Sequence, residues 1–217
     1  IDENRSNRLN WNQIRKMRAA GVTFGAHSAS HLHMVNTPRN RNEAEIIKSN
    51  TRMTVELGEQ PVIFAYPYGE ASNEVFELIS ESGYKYAFGQ HSGAMNETSN
   101  LYYLPRFSLN ERYGEIDRVK FTANVLGLGV YDFIPTNPHI IENPPYIGFS
   151  VLDQTLVQSL NCFVFDSEGQ VEKELFKFNE RIEIRLARKL NKGRSRINCT
   201  TKDKKGNWRW YGHQFYL

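Results

Sequence analysis

The first half of the chain alternates between two hydrophobic periods, which predicts alternating helices and strands. In three segments apolar residues recur every third or fourth position, as on one face of a helix, and each segment ends at a glycine. The predicted helices begin after Asn10, at Thr37-Pro38 and after Ser72, and they end at Gly21, Gly58 and Gly83. The predicted strands are the short apolar runs 22–26, 61–65, 84–89 and 102–107. This order is typical of parallel βα units, in which sites form at the carboxyl ends of the strands.

The pattern changes beyond residue 113. Residues 113–125 have helical spacing, whereas residues 126–146 hold four of the chain's eight prolines and are predicted to be a linker. From residue 147 onward, short strand-like runs separated by turn signals predict a small all-β, sandwich-like module. Its predicted strands are 147–152, 159–165, 171–178, 181–187, 194–199 and 207–217. The prediction is an α/β domain over 1–125, a linker over 126–146 and a β module over 147–217.

Composition sets few further limits. The chain has 217 residues with 40% hydrophobic content, which is enough for one large domain or two small ones. A net charge of +3 is weak evidence for any partner, and the basic stretch from Arg185 to Lys205 is interpreted as a solvated face rather than a nucleic-acid surface. No apolar run reaches the ~18 residues of a membrane span. The first residues lack a starting Met and the apolar region of a signal peptide, so we expect a processed or truncated piece.

The two cysteines, Cys162 and Cys199, both fall in predicted strands of the β module. An even count without C-x-x-C spacing favours a single disulfide that cross-links two strands and forms in an oxidising compartment. Two free buried thiols are the alternative.

Three of the six histidines fall within seven residues, at His27, His31 and His33, just after the predicted strand 22–26. On a helical turn the i and i+4 positions share a face, so His27 and His31 can point at one ion. His33 cannot readily share that face. Zinc binds neutral imidazole and takes three or four ligands, so a further ligand must come from elsewhere. A polar pair without metal is the alternative. A zinc-protease motif is excluded because Ser28 stands where H-E-x-x-H needs its glutamate.

Five stretches carry a family resemblance in their order and spacing. They are Leu9-Asn10-Trp11-Asn12-Gln13-Ile14 through Ala20-Gly21, His27-Ser28-Ala29-Ser30-His31, Phe64-Ala65-Tyr66-Pro67-Tyr68-Gly69-Glu70, Ser82-Gly83-Tyr84 and Leu104-Pro105-Arg106. Together they resemble the polysaccharide deacetylases, the NodB-homology family or carbohydrate esterase family 4. The resemblance implies part of a distorted (β/α) barrel, followed here by the β module. It also implies metal-dependent hydrolysis of N-acetyl or O-acetyl groups on an extracytoplasmic polysaccharide such as an N-acetylglucosamine polymer.

The resemblance also implies roles for individual residues. His27 and His31 match the two metal ligands of the family's H-[ST]-x-x-H motif, and the implied cofactor is a divalent ion such as zinc. Tyr66, Pro67 and Tyr68 match the motif that lines the substrate groove. A backbone N–H of that motif helps to hold the oxyanion, so Tyr68 is also assigned a catalytic role.

Two further residues are candidates for catalysis. Arg106 can orient a catalytic carboxylate by a bidentate contact, although a structural ion pair explains this arginine equally well. His91, which follows the predicted strand 84–89, is the nearest candidate for the acid that protonates the leaving amine. The family's usual L-x-H motif for that acid does not occur in the chain.

The chain departs from the family in its acidic residues. In the family the third metal ligand and the general base come from a T-F-D-D motif, and none of the six Asp residues lies in such a context. We therefore expect that motif on a missing segment or on a separate chain. Ala65 also stands where many members carry Arg. These departures leave a rival hypothesis, a non-catalytic carbohydrate-binding or scaffold protein that keeps the deacetylase fold.

Overall fold

The computed structural model describes residues 8–217. Its helices are α1 (Trp11–Ala19), α2 (Arg39–Leu57), α3 (Asn73–Glu81) and α4 (Ile116–Asn124). Its strands are β1 (Ile63–Ala65), β2 (Tyr86–Phe88), β3 (Leu126–Gly127), β4 (Val130–Ile134), β5 (Ile147–Val151), β6 (Asn161–Asp166), β7 (Gly169–Val171), β8 (Lys173–Phe178), β9 (Arg181–Leu186), β10 (Arg194–Lys202) and β11 (Trp208–Tyr216). Across this described part, no helix is both long and apolar enough to cross a membrane.

Residues 8–125, the α/β part, contain the helices that the sequence predicts. A capping box between Asn10 and Gln13 starts α1, and the Ser72 hydroxyl caps α3. Helix α2 ends at Gly58, whose left-handed backbone (φ 80°) suits glycine. Helices α1, α2 and α3 pack on one core, formed by Ile14, Ala26, Met34, Ile46, Met53, Leu57, Phe64, Tyr66, Ala71, Val75, Leu78, Ile79, Tyr84, Ala87 and Tyr103.

The sheet of the α/β part is short and parallel. β1 pairs with β2, and single parallel bridges join Ala26 to β1 and Leu104 to β2. The predicted strands 22–26 and 102–107 are thus reduced to one bridge each. Pro105 has no N–H with which to extend the second ladder. The α/β prediction is confirmed, but the sheet formed by residues 8–125 does not close into a barrel.

Residues 126–217, the β module, form two sheets around one core. The strand orders are β3-β11-β10-β6-β7 and β4-β5-β9-β8. Burial alternates along β6 and β10, as expected for strands that face a core on one side. The buried core comprises Leu128, Val130, Ile140, Ile147, Phe149, Val151, Leu156, Val157, Leu160, Cys162, Val164, Val171, Ile182, Ile184, Leu190, Ile197, Cys199 and Phe215. Two sheets on one core are consistent with the predicted sandwich-like arrangement.

The structure differs from the predicted linker over 126–146. This segment supplies β3 and β4 to the two sheets and Leu128, Val130 and Ile140 to the core. Pro135 follows the last residue of β4, so it ends the strand rather than interrupting it. The predicted strand 171–178 also differs, because β7 and β8 lie in different sheets.

Cys162 and Cys199 lie opposite each other on β6 and β10 and are joined by a disulfide. Both cysteines are buried in the core of the β module. The predicted cross-link between two strands is therefore confirmed.

The two parts meet where the loop after β2 packs on β11. A Cβ atom on Gly212 would lie 1.8 Å from the Ser92 carbonyl oxygen, so only glycine allows this approach. The side-chain amide of Asn36 also donates a hydrogen bond to the Tyr216 hydroxyl. These contacts place the edge of the β module beside the loops of the α/β part.

Candidate metal and substrate site

The imidazoles of His27 and His31 are neighbours. Their ring centroids lie 4.7 Å apart at an interplanar angle of 69°. His27 directly follows Ala26, whose backbone pairs with β1, and His27 Nδ1 lies 2.6 Å from the Ala65 carbonyl oxygen. Because a carbonyl oxygen only accepts, Nδ1 carries the hydrogen and Nε2 keeps its lone pair. This is the arrangement in which an imidazole can bind a metal through Nε2.

The loop between the two histidines is not helical, which corrects the predicted helical turn. Ser28 and His31 both adopt left-handed backbone conformations, with φ values of 59° and 58°. The Ser28 hydroxyl accepts a hydrogen bond from the His31 N–H at 3.0 Å. The Glu45 carboxylate on α2 accepts from the N–H groups of Ala29 at 3.1 Å and Ser30 at 2.6 Å. These side-chain acceptors compete with helical hydrogen bonds and hold the loop in an irregular form.

The surroundings of His27 favour its neutral form. Burial lowers the pKa of its imidazole, and the nearby His31 and Arg106 act in the same direction. The hydrogen bond to Ala65 opposes this shift. A neutral imidazole does not have to lose a proton before it binds a metal.

The described residues offer candidate ligands for only part of the coordination shell of a divalent metal. His27 and His31 supply two adjacent imidazoles, which suit zinc. No cluster of three or more His, Cys, Asp or Glu side chains able to hold a metal occurs among residues 8–217. The residues that the structure describes therefore offer two candidate ligands of the three or four that zinc takes.

Tyr68 lies against the histidines. It sits in the single turn formed by Pro67–Gly69 and adopts a left-handed backbone conformation, with φ 58°. Its ring packs edge-on against His31, with centroids 4.5 Å apart, and stacks on His33 at 4.0 Å and 4°. Tyr68 is half-buried, and its groove-lining role stays a prediction.

Tyr66 and Pro67 are placed differently from the predicted groove lining. Tyr66 is fully buried, and its hydroxyl donates to the Tyr102 carbonyl at 2.9 Å. Pro67 is buried as well. The Tyr66 side chain is part of the core of the α/β part. Neither residue has the exposed surface needed to contact a polymer, so of the three only Tyr68 stays a candidate for the groove.

Arg106 shares an open cavity with His27. The cavity has a volume of about 420 Å³ and is also lined by Gly25, Ala65 and Phe88. Arg106 Nε donates to the Gly89 carbonyl at 2.8 Å, and burial lowers the pKa of the guanidinium. Within residues 8–217 no carboxylate pairs with this cation, so a structural ion pair is not seen there.

His91 lies in different surroundings. It is 2% exposed and lines a second cavity, of about 330 Å³, together with Tyr103 and His213. Burial lowers the pKa of its imidazole to about 3, and the nearby charge of Arg196 acts in the same direction. A ring that is neutral at physiological pH does not carry the proton that an acid must donate. These surroundings disfavour His91 as the acid.

Two polar residues of the site escaped prediction from the sequence. Glu45 anchors the histidine loop, and Glu70 Oε2 lies 2.6 Å from Nδ1 of His33. Glu70 is 2% exposed. The only sequence feature that pointed to a role for it was its position two residues after Tyr68. Glu45 gave no signal, because a polar residue on a helix is ordinarily solvated.

Comparisons with known proteins find similarity in the N-terminal part of the chain. The polysaccharide deacetylase family model matches residues 1–87. A poly-beta-1,6-N-acetyl-D-glucosamine N-deacetylase of Staphylococcus aureus is 32% identical over 74 residues, which cover 32% of this chain and 26% of that protein. The chain thus spans about a quarter of the length of this curated relative.

Solved structures give more distant matches. A deacetylase of Streptococcus pyogenes, PplD in complex with acetate, aligns with a TM-score of 0.47 at 18% identity, covering 50% of this chain and 48% of that one. IcaB from Ammonifex degensii aligns with a TM-score of 0.42 at 19% identity, covering 52% and 51%. These likenesses are too distant to assign a fold or a role. The family match is confined to residues 1–87, so the N-terminal part of this chain is similar to the polysaccharide deacetylases.

Proposed function

We propose that this protein is a metal-dependent polysaccharide deacetylase and that residues 8–125 carry part of its active site. The observation that carries the proposal is the pair His27 and His31, 4.7 Å apart, with His27 Nδ1 bound to the Ala65 carbonyl. The pair lies within the segment that matches the family model. An orienting partner on one ring nitrogen is typical of metal-binding histidines.

We propose zinc or a similar divalent ion as the cofactor, held by His27 and His31 and by a further ligand outside the described residues. When bound, such an ion polarises the acetyl carbonyl and lowers the pKa of a water molecule. Tyr68 packs against His31 and offers a ring surface on which the sugar can rest. A backbone N–H of the Pro67-Tyr68 turn supports the oxyanion. Arg106, which has no carboxylate partner among residues 8–217, orients the carboxylate base.

The proposed substrate is a polymer of N-acetylglucosamine. The support is the Staphylococcus aureus relative, whose name specifies a poly-beta-1,6-N-acetyl-D-glucosamine. Hydrolysis of an O-acetyl ester needs the same electrophile activation and is a second outcome of the assay. We also propose an extracytoplasmic location, which the disulfide between Cys162 and Cys199 supports because thiols oxidise there.

A non-catalytic carbohydrate-binding protein is the second candidate. Its support is that residues 8–217 hold no cluster of three metal-binding side chains and no carboxylate paired with Arg106, so the described residues offer neither a complete ligand set nor a catalytic base beside that arginine. Such a protein would bind the glycan without releasing acetate.

The test measures bound zinc and acetate release in the full-length protein and in His27→Ala and His31→Ala. We expect one zinc per chain in the wild type and loss of both zinc and activity in each variant, because each removes a ligand. His139→Ala is the matched control, because its ring lies 6.0 Å from that of Tyr216, in the β module. Unchanged zinc content in both site variants contradicts the metal assignment. Glycan binding without acetate release supports the second candidate.

A further inference from the structure

The β module touches the turn that carries Tyr68. Gln214 Nε2, on β11, donates to the Tyr68 carbonyl at 3.2 Å. Arg194, the first residue of β10, reaches the same carbonyl with Nη1 at 3.5 Å, and its guanidinium lies 5.9 Å from the centre of the Tyr68 ring. Two side chains of the β module therefore converge on one carbonyl of the α/β part.

Arg194 also lies near Glu70, which contacts the His33 ring that stacks on Tyr68. Its Nε atom lies 3.9 Å from Glu70 Oε1, and the other oxygen of Glu70 lies 2.6 Å from His33 Nδ1. His33 in turn stacks on the Tyr68 ring at 4.0 Å. A buried carboxylate needs such partners, because one left without them is strongly disfavoured. The cation of Arg194 and the ring of His33 together satisfy Glu70.

Gly69, which follows Tyr68 in the turn, is also held in place by its neighbours. The Tyr103 hydroxyl lies 2.9 Å from the Gly69 carbonyl and 3.1 Å from the Gln214 carbonyl, so it lies between the turn and β11. A Cβ atom on Gly69 would lie 2.5 Å from the backbone nitrogen of Gln90, so only glycine fits. A left-handed backbone at a bulky residue such as Tyr68 persists only when its surroundings hold it there.

We propose that Arg194 and Gln214 of the β module are positioning residues of the deacetylase site. They hold the Tyr68 carbonyl and support Glu70 and His33, so that the Tyr68 ring stays against His31. The β module is then a structural component of the active site rather than an appended binding domain. This inference rests on the proposed function for its effect on catalysis, whereas the positions of Tyr68 and His33 are measurable without it.

The first experiment compares Arg194→Ala with Arg185→Ala in the full-length protein. Arg185 is a matched control, because it also lies over a tyrosine, Tyr146 at 5.0 Å, and pairs with a carboxylate, Glu183 at 2.9 Å. We expect Arg194→Ala to lower kcat about tenfold with little change in KM, within the range for outer partners of metal sites. Arg185→Ala is expected to leave both constants unchanged. Equal effects of the two variants overturn the proposal.

A double-mutant cycle tests whether Arg194 acts through Tyr68. If it does, adding Arg194→Ala to Tyr68→Ala lowers kcat no further, whereas independent effects multiply. Arg194→Lys keeps the charge but not the fork-shaped guanidinium, so we expect it to recover only part of the rate. Multiplying effects, or full recovery with lysine, contradict positioning through the Tyr68 carbonyl. If Arg194→Ala does not fold, the comparison of Arg194→Lys with Arg185→Lys decides the point by the same criteria.

An NMR readout separates this inference from the proposed function. The ring-proton resonances of His33 carry the ring-current shift of the stacked Tyr68 and are measured in metal-free protein. We expect Arg194→Ala to displace them and Arg185→Ala to leave them in place. An unchanged His33 spectrum in Arg194→Ala overturns the inference even if the enzyme is active. A displaced spectrum with full activity in His27→Ala and His31→Ala overturns the proposed function alone.

Discussion

The α/β part and the β module differ in how they hold their backbone. In the α/β part, β1 and β2 are three residues long and pair only with each other and with single bridges. In the β module, sheets of five and four strands enclose a continuous core that also contains a disulfide. Regular ladders satisfy the backbone of the β module, whereas the loops of the α/β part depend on side chains.

This difference between the two parts bears on which mutations change stability and which change function. Ser28, His31 and Tyr68, all left-handed, lie at the candidate site and are held by Glu45, Gln214 and their neighbours. Strained backbone of this kind is common where chemistry is positioned and needs rigid support nearby. The β module supplies such support through β10 and β11. We therefore expect mutations in the two parts to have different effects even when they cost the same stability.

The largest expected effect comes from one matched pair of core substitutions. Phe64 in β1 and Phe149 in β5 are both fully buried at the centre of a strand. Each change to alanine should lower the free energy of unfolding by about 3–5 kcal/mol, through lost burial and a new cavity. Only Phe64→Ala should also weaken zinc binding, because Phe64 bridges to Ala26 and precedes Ala65, the partner of His27.

Denaturant unfolding measures the stability of the two variants, and zinc titration measures their metal affinity. Both are run well below the unfolding temperature. Equal loss of zinc affinity in Phe64→Ala and Phe149→Ala contradicts the separation of the two parts. Isoleucine at either position retains much of the buried volume and serves as the control for cavity formation.

The next effect concerns the disulfide. Cys162 and Cys199 are separated by 37 residues, and closing a loop of that length stabilises a fold by about 3–4 kcal/mol on the chain-entropy model. The double variant Cys162→Ala/Cys199→Ala should lose that much stability and keep its zinc affinity. Reductant should destabilise the wild type and leave the double variant unchanged. A wild type that reductant does not destabilise shows that the cross-link adds nothing to stability.

The helices were predictable from the sequence because their signals are local. Asn10 and Ser72 cap helices and Gly58 ends one, as the sequence predicts. β3 and β4 were missed because prolines and glycines cluster in 126–146, although Pro135 lies just beyond β4. A proline at the end of a strand and one within it give the same composition. The order of residues decides between them, and composition does not.

The site was predictable only in its local part. His27, His31 and Tyr68 lie in short motifs, and the structure brings them together. Their supports Arg194 and Gln214 are 126 and 146 residues away from Tyr68 in sequence. Nothing in a single sequence connects residues so distant, because their contact depends on how the β module packs on the α/β part. Periodicity describes each element, but not the packing of one element on another.

The smallest expected effect is an acid-dependent one in the β module. The Asp166 carboxylate, at the end of β6, accepts hydrogen bonds from Arg188 Nη1 at 2.6 Å and Nη2 at 3.1 Å. It also accepts from the backbone N–H groups of Glu168 at 3.0 Å and Asn191 at 3.2 Å. The hydrogen bonds from Arg188 are the main cause that lowers the pKa of Asp166 to about 2. The charged form is thus stabilised in the folded state.

The sign of the pH dependence follows from that shift. The pKa of Asp166 is lower in the folded chain than the value of about 3.9 expected in the unfolded one, so the unfolded state binds its proton first as the pH falls. The stabilisation is complete above about pH 4 and is lost between about pH 4 and 2. Asp166→Asn should cost about 1–2 kcal/mol at neutral pH, as expected for hydrogen bonds between a charged carboxylate and the partly exposed Arg188. It should also flatten the stability profile in that interval. Arg188→Ala keeps the carboxyl but removes its cation, so it should flatten the profile in the same interval. Urea unfolding between pH 2 and 7 measures all three proteins, and parallel profiles for the wild type and both variants would show that Asp166 does not contribute to acid sensitivity.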